Sequence, residues 1–392
     1  MNKNEVNKVG LDLIYLSSCA LHSTVPDRER LCDMDLFSVY KMSKLHSINV
    51  IAYLAVESAE KSYGETFCPP DLMERWKGEY HYTLRRLLGF DIEREKLCSF
   101  MRDRGIWYVP LKGILLQNYY PTLGMRQMSD NDILVDSKQA KVIREYMTEN
   151  GYEVMSYGNH CHDTYRKDGI IFEIHRKLAE DTDKTRKAYH YYKNVKTRLV
   201  SMNNSTEMRF TDEDFYVYYI FHAYKHFAVC GCGLRTLTDV YLYLNKHNNR
   251  LDFGYIKDQL SLMGIEKYER STREIAMILF SENSDIYNTD LLSDEKREIL
   301  SYYLLSGTFG TQSNRIENTI LDMAEGEEIT GRTKVRYLFR RLFPKFEYYK
   351  NSYPRASRFI ITIPFLWLIR IFRGISKRKI AIEEFDKVKR MK

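Results

Sequence analysis

The stretch from Tyr108 to Val135 constrains the fold of this chain more than any other. It opens with a short apolar run, Tyr108–Leu111, which predicts a strand. A turn at Lys112-Gly113 leads into a helical pattern that reaches Tyr120. The stretch ends on Asp130-Asn-Asp-Ile-Leu-Val, where two acidic residues stand one residue apart in a strand-like run. These patterns predict a strand, a helix and another strand in close succession.

The two acidic residues, Asp130 and Asp132, should face the same point in space, because side chains at i and i+2 of a strand lie on one side. Two carboxylates that converge in this way repel each other unless a cation lies between them. Magnesium is usually held by one or two carboxylates together with phosphate oxygens and water. We therefore predict a Mg²⁺ site with Asp130 and Asp132 as ligands.

A third carboxylate comes from a later strand. The run Ile170–His175 follows a turn at Lys167-Asp-Gly169, and the pattern around this turn predicts a hairpin. Glu173 and His175 share one face of that strand, so Glu173 is predicted as the third metal ligand. The three carboxylates are expected to hold two metal ions, with Mg²⁺ favoured and Mn²⁺ as the alternative. His175 either orients Glu173 or packs in the core.

The residues between the first two strands include candidates for phosphate binding. Lys112 and Gly113 stand at the predicted start of a helix, where backbone N–H groups bind phosphate and glycine allows a close approach. Lys112 adds a positive charge, and Arg126 and Ser129 can bind further phosphate oxygens. We predict these four residues as a phosphate-binding set.

A later helical segment carries a second group of polar residues. His222 and His226 lie four residues apart, as zinc ligands on one helix face do, but residue 223 is alanine and no third ligand is evident. We interpret both histidines as structural or substrate-contacting. Lys225, His226 and Arg235 either line a cleft opposite the metal site and bind phosphate or an anionic acceptor, or they tie helices together.

The rest of the chain is mostly helical in pattern. Residues 11–106 have helical periodicity, including a long helix over Asp71–Arg104 in which Gly89 is a candidate break. We therefore predict an α+β fold, mostly helical, with a small mixed-sheet core. The predicted divisions are a helical N-terminal region at 1–104, the α/β core at 105–205, a helical domain closing the cleft at 206–330 and a basic, apolar C-terminal segment at 331–392.

The basic residues concentrate at the C-terminal end. Residues 331–392 contain 18 lysines and arginines against four acidic residues, while the whole chain has a net charge of +7, so the rest of the chain is net acidic. A long nucleic acid is therefore not expected as a partner. Residues 355–379 mix large apolar and basic residues, as an amphipathic helix on an anionic membrane does. A terminal helix packed on the body of the protein would have the same pattern.

Cysteine usage and the N-terminal sequence bear on location. The seven cysteines are scattered, and no secretory signal precedes them. No run reaches the roughly 18 apolar residues that span a bilayer. We predict a cytoplasmic protein, either free or peripheral to the inner face of the membrane.

These motifs resemble the nucleotidyltransferase superfamily that includes DNA polymerase beta, in which a glycine-containing strand–helix turn precedes a DxD strand and a third acid follows. The chain looks more specifically like the bacterial family of uncharacterised nucleotidyltransferases often found with surface-polysaccharide genes. The resemblance rests on Leu111-Lys-Gly113, Tyr120-Pro121, Arg126–Val135, Gly151-Tyr152, Glu173-Ile-His175, His222–Phe227, Gly231–Arg235 and Asp239. The superfamily usually has Gly-Ser or Gly-Gly at the turn, so Lys112-Gly113 lacks the serine hydroxyl that normally touches the terminal phosphate.

The resemblance implies Mg²⁺-dependent transfer of a nucleoside monophosphate from an NTP to an acceptor hydroxyl, with surface-polysaccharide synthesis as one setting. It implies Asp130, Asp132 and Glu173 as the catalytic metal ligands. The nucleotide-binding set is then Lys112, Gly113, Arg126 and Ser129. Two alternatives use the same fold: a non-catalytic module that binds a nucleotide or a partner, and a toxin- or antitoxin-type transferase that modifies a protein or tRNA.

Overall fold

A computed structural model describes residues 3–158, 160–182, 184–203, 205–247, 250–282, 287, 291–324, 328–346, 348–349, 353, 356–375 and 378–391. The chain begins with helices that pack on one another: α1 (Lys3–His22), α2 (Arg28–Cys32), α3 (Leu36–Leu45), α4 (Asn49–Tyr63) and α5 (Pro70–Asp103). Helix α5 starts at a proline, whose fixed φ suits the first helical turn. It runs unbroken through Gly89, so the candidate break there is wrong. A side chain at Gly89 would contact Ile170 Cδ1 at 3.4 Å, which shows how closely α5 passes the sheet.

The sheet follows α5 and is mixed, as predicted. Its elements are β1 (Tyr108–Pro110), α6 (Gly113–Leu116), β2 (Asn131–Val135), α7 (Ala140–Glu149), β3 (Glu153–Ser156), β4 (His162–Lys167) and β5 (Ile170–His175). The strands lie in the order β1-β2-β5-β4-β3, with β2 and β5 parallel and the other neighbours antiparallel. The helical pattern after Lys112 gives only one α-helical turn, which continues as a 3₁₀ turn over Gln117–Tyr119.

The predicted hairpin is formed by β4 and β5. Its two turn residues, Asp168 and Gly169, have φ of 49° and 79°, as a tight type I′ connection requires. This turn fixes the register and places His162 opposite His175. The parallel pairing of β2 with β5 places Asp132 opposite Glu173. The tight turn and the parallel pairing together bring distant acidic and histidine residues to one part of the sheet.

The second half of the chain is helical apart from one short strand pair. Its elements are α8 (Arg186–Tyr192), β6 (Leu199–Ser201), β7 (Met208–Phe210), α9 (Asp212–Phe227), α10 (Leu234–His247), α11 (Phe253–Met263), α12 (Glu266–Phe280), α13 (Asp294–Ser306), α14 (Gln312–Ala324), α15 (Gly331–Leu342), α16 (Ile363–Ile375) and α17 (Arg378–Arg390). The fold is therefore α+β and mostly helical, which confirms the predicted class.

Two large apolar cores lie on opposite faces of the sheet. One contains Ile133 and Val135 of β2 together with Phe172 and Ile174 of β5, packed against α5 and α7. The other contains Leu134 and extends through the N-terminal helices and α9 to α13. Because the second core spans residues on both sides of 104 and 205, the division of the chain at those positions stays a prediction.

The C-terminal segment has a small core of its own and a large apolar surface. Residues of α14, α15 and α17 form the core. In contrast, Phe359, Ile361, Phe365 and Phe372 are between 66% and 80% exposed, whereas Leu366 is 6% exposed. Only part of the apolar face of this stretch is therefore packed. Arg355, Ser376 and Lys377 of the predicted membrane-contact stretch lie outside the described residues. Within the described part of the chain, no helix is both long and apolar enough to cross a bilayer.

Candidate active site

The three predicted carboxylates line one cleft, which we call the carboxylate cleft. Asp132 and Glu173 are register partners on β2 and β5, and Asp130 directly precedes β2. The cleft has a volume of about 360 Å³ and lies between this part of the sheet and helices α9 and α10. The register partners Asp132 and Glu173 are 41 positions apart in the sequence, and parallel pairing of the two strands brings them together.

Asp132 is held by two cationic or polar neighbours. Lys112 Nζ lies 2.7 Å and His175 Nε2 2.8 Å from Asp132 Oδ1, and all three side chains are largely buried. Burial alone would raise the pKa of Asp132, but Lys112 and His175 outweigh it and hold that pKa below its usual value. Asp132 is therefore an anion in the folded protein. His175 orients Asp132 more directly than it orients Glu173, because His175 Nε2 lies 3.6 Å from Glu173 Oε2.

Asp130 has the opposite environment. Among the described residues, its carboxylate has no hydrogen-bond or ion-pair partner. Burial, and after it the neighbouring charge of Asp132, raise the pKa of Asp130 to about 7. A carboxylate that is costly to ionise beside another carboxylate is a suitable ligand for a divalent cation, because the cation removes the repulsion.

His162 is a site residue that the sequence reasoning missed. Its Nε2 lies 3.5 Å from Glu173 Oε1, and ligand atoms of His162, Glu173 and His175 all lie within 4.8 Å of one another. Burial lowers the pKa of His162 to about 4, so the imidazole is neutral and can donate a lone pair to a metal. The two-residue turn at Asp168-Gly169 contained the signal, because counting back from it places His162 opposite His175.

The Lys112-Gly113 turn has a constrained backbone. Lys112 has a φ of 46°, in the left-handed region that favours glycine. The side chain of the same residue forms the ion pair with Asp132. A Cβ atom at Gly113 would lie 2.5 Å from Arg126 Nη1, so the glycine is needed for the close approach of Arg126.

Arg126 lines the cleft, but its guanidinium is already engaged. Its Nε and Nη2 donate to the two carboxylate oxygens of Asp239 at 2.8 and 2.9 Å. Tyr120 and Tyr219 donate their hydroxyls to the same carboxylate at 2.8 and 2.9 Å. Arg126 is 7% exposed and Asp239 1%. This buried network joins the loop before β2 to α9 and α10, and phosphate binding by Arg126 stays a prediction.

Ser129 also reaches the carboxylate cleft, at a point where its backbone is fixed. Its side chain is half-buried, and its carbonyl oxygen accepts a hydrogen bond from Arg86 Nη2 at 3.1 Å. Helix α5 thus holds the residue next to Asp130. The role of Ser129 toward a phosphate stays a prediction.

The wall opposite the carboxylates is formed by the predicted helical residues. His222, Lys225 and His226 of α9 and Arg235 of α10 all line the carboxylate cleft. His222 and His226 contact each other through their Nε2 atoms at 3.2 Å. Burial, followed by the charge of Lys112, lowers the pKa of Lys225. Arg235 donates to the carbonyl oxygen of Gln127 at 2.9 Å, which leaves further N–H groups for a ligand.

The connection between α9 and α10 packs against a loop that sequence reasoning did not identify. A Cβ atom at Gly231 would lie 2.1 Å from Ser306 Oγ, and one at Gly233 would lie 2.8 Å from the backbone of Gly307. The two glycines therefore allow residues 306–310 to approach. Thr308 N donates to Leu45 O at 2.9 Å, which ties the same loop to α3. These contacts hold Phe309 at the mouth of the cleft, where its side chain is 70% exposed.

Comparison with known families matches residues 35–281 to the family described as uncharacterised nucleotidyltransferase. The chain belongs to this nucleotidyltransferase family. The match covers the sheet, the three carboxylates and the α9–α10 wall, whereas Phe309 and the C-terminal segment lie beyond it. Membership in the family supports nucleoside monophosphate transfer as the general reaction class. The corresponding comparisons with curated proteins and with solved structures gave no match.

Proposed function

We propose that the protein is a Mg²⁺-dependent nucleotidyltransferase that moves a nucleoside monophosphate from an NTP to an acceptor hydroxyl. The observation that carries this proposal is the convergence of Asp130, Asp132 and Glu173 on one cleft, with no partner for Asp130 among the described residues. In this reaction the hydroxyl oxygen forms a bond to the α-phosphorus. The bond from the α-phosphorus to the bridging oxygen breaks, pyrophosphate leaves, and the hydroxyl proton is released.

The donor set fits divalent metal ions. Asp130, Asp132 and Glu173 offer carboxylate oxygens. Burial, and after it the charge of Asp132, raise the pKa of Asp130, and a bound cation would offset both. A bound magnesium pair would neutralise charge on the transferred phosphate and on the attacking and leaving oxygens. His162 and His175 beside Glu173 add nitrogen donors at that end of the site, and imidazole suits a transition-metal ion better than Mg²⁺.

The protein's own residues bind and orient the reactants. Lys112 Nζ forms an ion pair with Asp132 and can exchange this ion pair for one with a phosphate oxygen of the NTP. Lys225 and Arg235 on the opposite wall supply positive charge toward the same cleft. His175 fixes the Asp132 carboxylate through its 2.8 Å contact. Positioning and charge neutralisation of this kind are the main sources of catalysis in phosphoryl-group chemistry.

One observation favours the non-catalytic alternative. The Lys112–Asp132 ion pair occupies an oxygen that a metal ion would use. Calorimetric titration with ATP separates the two functions, and we expect ATP to bind at least about tenfold more tightly with Mg²⁺ than without it. Equal affinity with and without Mg²⁺, together with no release of pyrophosphate, would favour a binding module.

Contact with an anionic membrane also stays a prediction. The exposed apolar residues of the C-terminal segment and its basic residues support such a contact. Co-sedimentation of the full-length protein with anionic vesicles tests it, and a protein that never sediments with them contradicts it.

A further inference from the structure

A second cleft adjoins the carboxylate cleft, and we call it the N-terminal cleft. It also has a volume of about 360 Å³. The two clefts share a wall, because the same residues line both: Gln127, Met128, Ser129, Arg235 and Phe309. The rest of its lining comes from the N-terminal helices, chiefly Lys44, Asn49, Glu79, Thr83 and Arg86. A cleft of this size is at the small end of sites that bind small molecules, which favours a small occupant.

The one carboxylate among these lining residues is already satisfied. Glu79 accepts hydrogen bonds from Tyr40 Oη at 2.7 Å, Lys44 Nζ at 2.6 Å and Asn49 Nδ2 at 2.8 Å. The charge of Lys44 therefore offsets that of Glu79. The pair contributes shape and hydrogen bonding to the cleft, but little net charge.

The two arginines of the cleft are not offset in this way. Arg86 donates to the carbonyl oxygen of Ser129 at 3.1 Å, and Arg235 donates to the carbonyl oxygen of Gln127 at 2.9 Å. Within the described residues, neither guanidinium has a carboxylate at ion-pair distance. Both side chains are half-buried. A guanidinium has five N–H donors, so each arginine retains donors for a ligand, and unpaired charge in a half-buried cleft favours an anionic one.

We propose that the N-terminal cleft binds the acceptor of the transfer reaction, and that this acceptor is a small phosphate monoester carrying a free hydroxyl. This inference rests on the proposed function, since it assigns the acceptor to a nucleotidyltransferase. The planar fork of an arginine matches the geometry of phosphate, and two arginines match its charge. Ser129 lies on the shared wall directly before Asp130, so a molecule held by Arg86 and Arg235 extends its hydroxyl toward the carboxylates.

Phe309 completes this arrangement at the mouth of both clefts. Its exposed ring offers an apolar face that the ring of a sugar covers when the phosphate is held further in. The base of the NTP is uncharged, so it would leave the charges of Arg86 and Arg235 without an anionic partner. The charge of the cleft therefore favours the acceptor over the base of the NTP as its occupant.

Calorimetric titration with glucose 1-phosphate and with glucose tests the proposal. Each probe is added to the full-length protein with and without Mg²⁺ and a non-hydrolysable ATP analogue. We expect the phosphorylated probe to bind and glucose to bind at least about tenfold more weakly. Replacement of Arg86 by methionine should weaken binding of glucose 1-phosphate by about tenfold or more, and Arg86→Lys should retain part of it. Binding of the ATP analogue should fall less than binding of glucose 1-phosphate in both variants, because Arg86 reaches the carboxylate cleft only through the carbonyl oxygen of Ser129.

Arg85→Met is the matched control, since Arg85 is the exposed neighbour on the same helix. It should leave binding of every probe unchanged. The proposal is overturned if wild-type protein does not distinguish glucose 1-phosphate from glucose, or if Arg86→Met binds the phosphorylated probe as well as wild type does. Failure of the nucleotide proposal has a different signature: the ATP analogue does not bind, while Arg86-dependent binding of glucose 1-phosphate persists.

Discussion

Asp132→Asn is expected to lower metal-dependent pyrophosphate release by roughly 10²–10³-fold or more, as loss of one charge-stabilising group in an active site does. The asparagine keeps the size of the side chain but removes the negative charge that Lys112 and His175 contact. Lys112 then faces a neutral amide. We expect only a modest decrease in melting temperature, because Asp130 and Glu173 still offset the lysine charge. Steady-state pyrophosphate assays and thermal unfolding measure the two effects.

Asp136→Asn is the matched control for this change. Asp136 follows the end of β2 and accepts a hydrogen bond from Lys138 N at 3.0 Å, outside the carboxylate cleft. Asparagine and aspartate are equally good at such capping positions, so both turnover and stability should stay unchanged. If Asp132→Asn turns over as fast as wild type, the assignment of Asp132 as a metal ligand is wrong.

Asp239→Ala is expected to destabilise the protein by about 3–5 kcal/mol, because it leaves a buried guanidinium without its partner. Asp239 accepts from Arg126 twice and from the hydroxyls of Tyr120 and Tyr219. Removing the carboxylate therefore leaves two guanidinium N–H groups and the Tyr219 hydroxyl without this acceptor in the interior, whereas the Tyr120 hydroxyl keeps its 3.0 Å contact with Thr238 Oγ1. Urea denaturation measures the change in the free energy of unfolding.

Two further variants make this prediction specific. Glu65→Ala breaks the exposed ion pair between Arg28 and Glu65, and we expect a much smaller loss of stability than for Asp239→Ala, because solvent screens this pair. The double change Arg126→Met with Asp239→Leu removes both buried charges and should be less destabilised than Asp239→Ala alone. A cost for Asp239→Ala no larger than that for Glu65→Ala would contradict the importance of the buried network.

The main features of the site could be predicted because they depend on short-range patterns. The alternation of Asp130 and Asp132, and the turn before Ile170–His175, are local signals, and strand geometry converts them into a shared face. The sheet was predicted only as mixed, and the parallel pairing of β2 with β5 is known from the structure. These signals were enough to bring three acidic residues to one cleft.

Other features depend on contacts between distant segments, for which the sequence has no local signal. Arg126 appeared as a free phosphate ligand because its partner, Asp239, is 113 positions away. Phe309 reaches the cleft only because Gly231 and Gly233 admit its loop. The charged residues of the N-terminal cleft also come from distant helices, with Lys44 on α3, Glu79 and Arg86 on α5, and Arg235 on α10. His162 differs from these cases, since the hairpin register alone could have placed it.

The most direct test of the account uses ATP, GTP, CTP and UTP labelled at the α-phosphate, incubated with the purified protein and a cell extract. We expect label to move from one or more NTPs to an acceptor, with pyrophosphate released, only when a divalent metal is present and not with Asp132→Asn. Label on a small molecule fits the acceptor proposed for the N-terminal cleft, whereas label on a protein or tRNA fits the macromolecular alternative. Absence of metal-dependent transfer from every NTP, or equal transfer by Asp132→Asn, would contradict the assignment of this cleft as a nucleotidyltransferase active site.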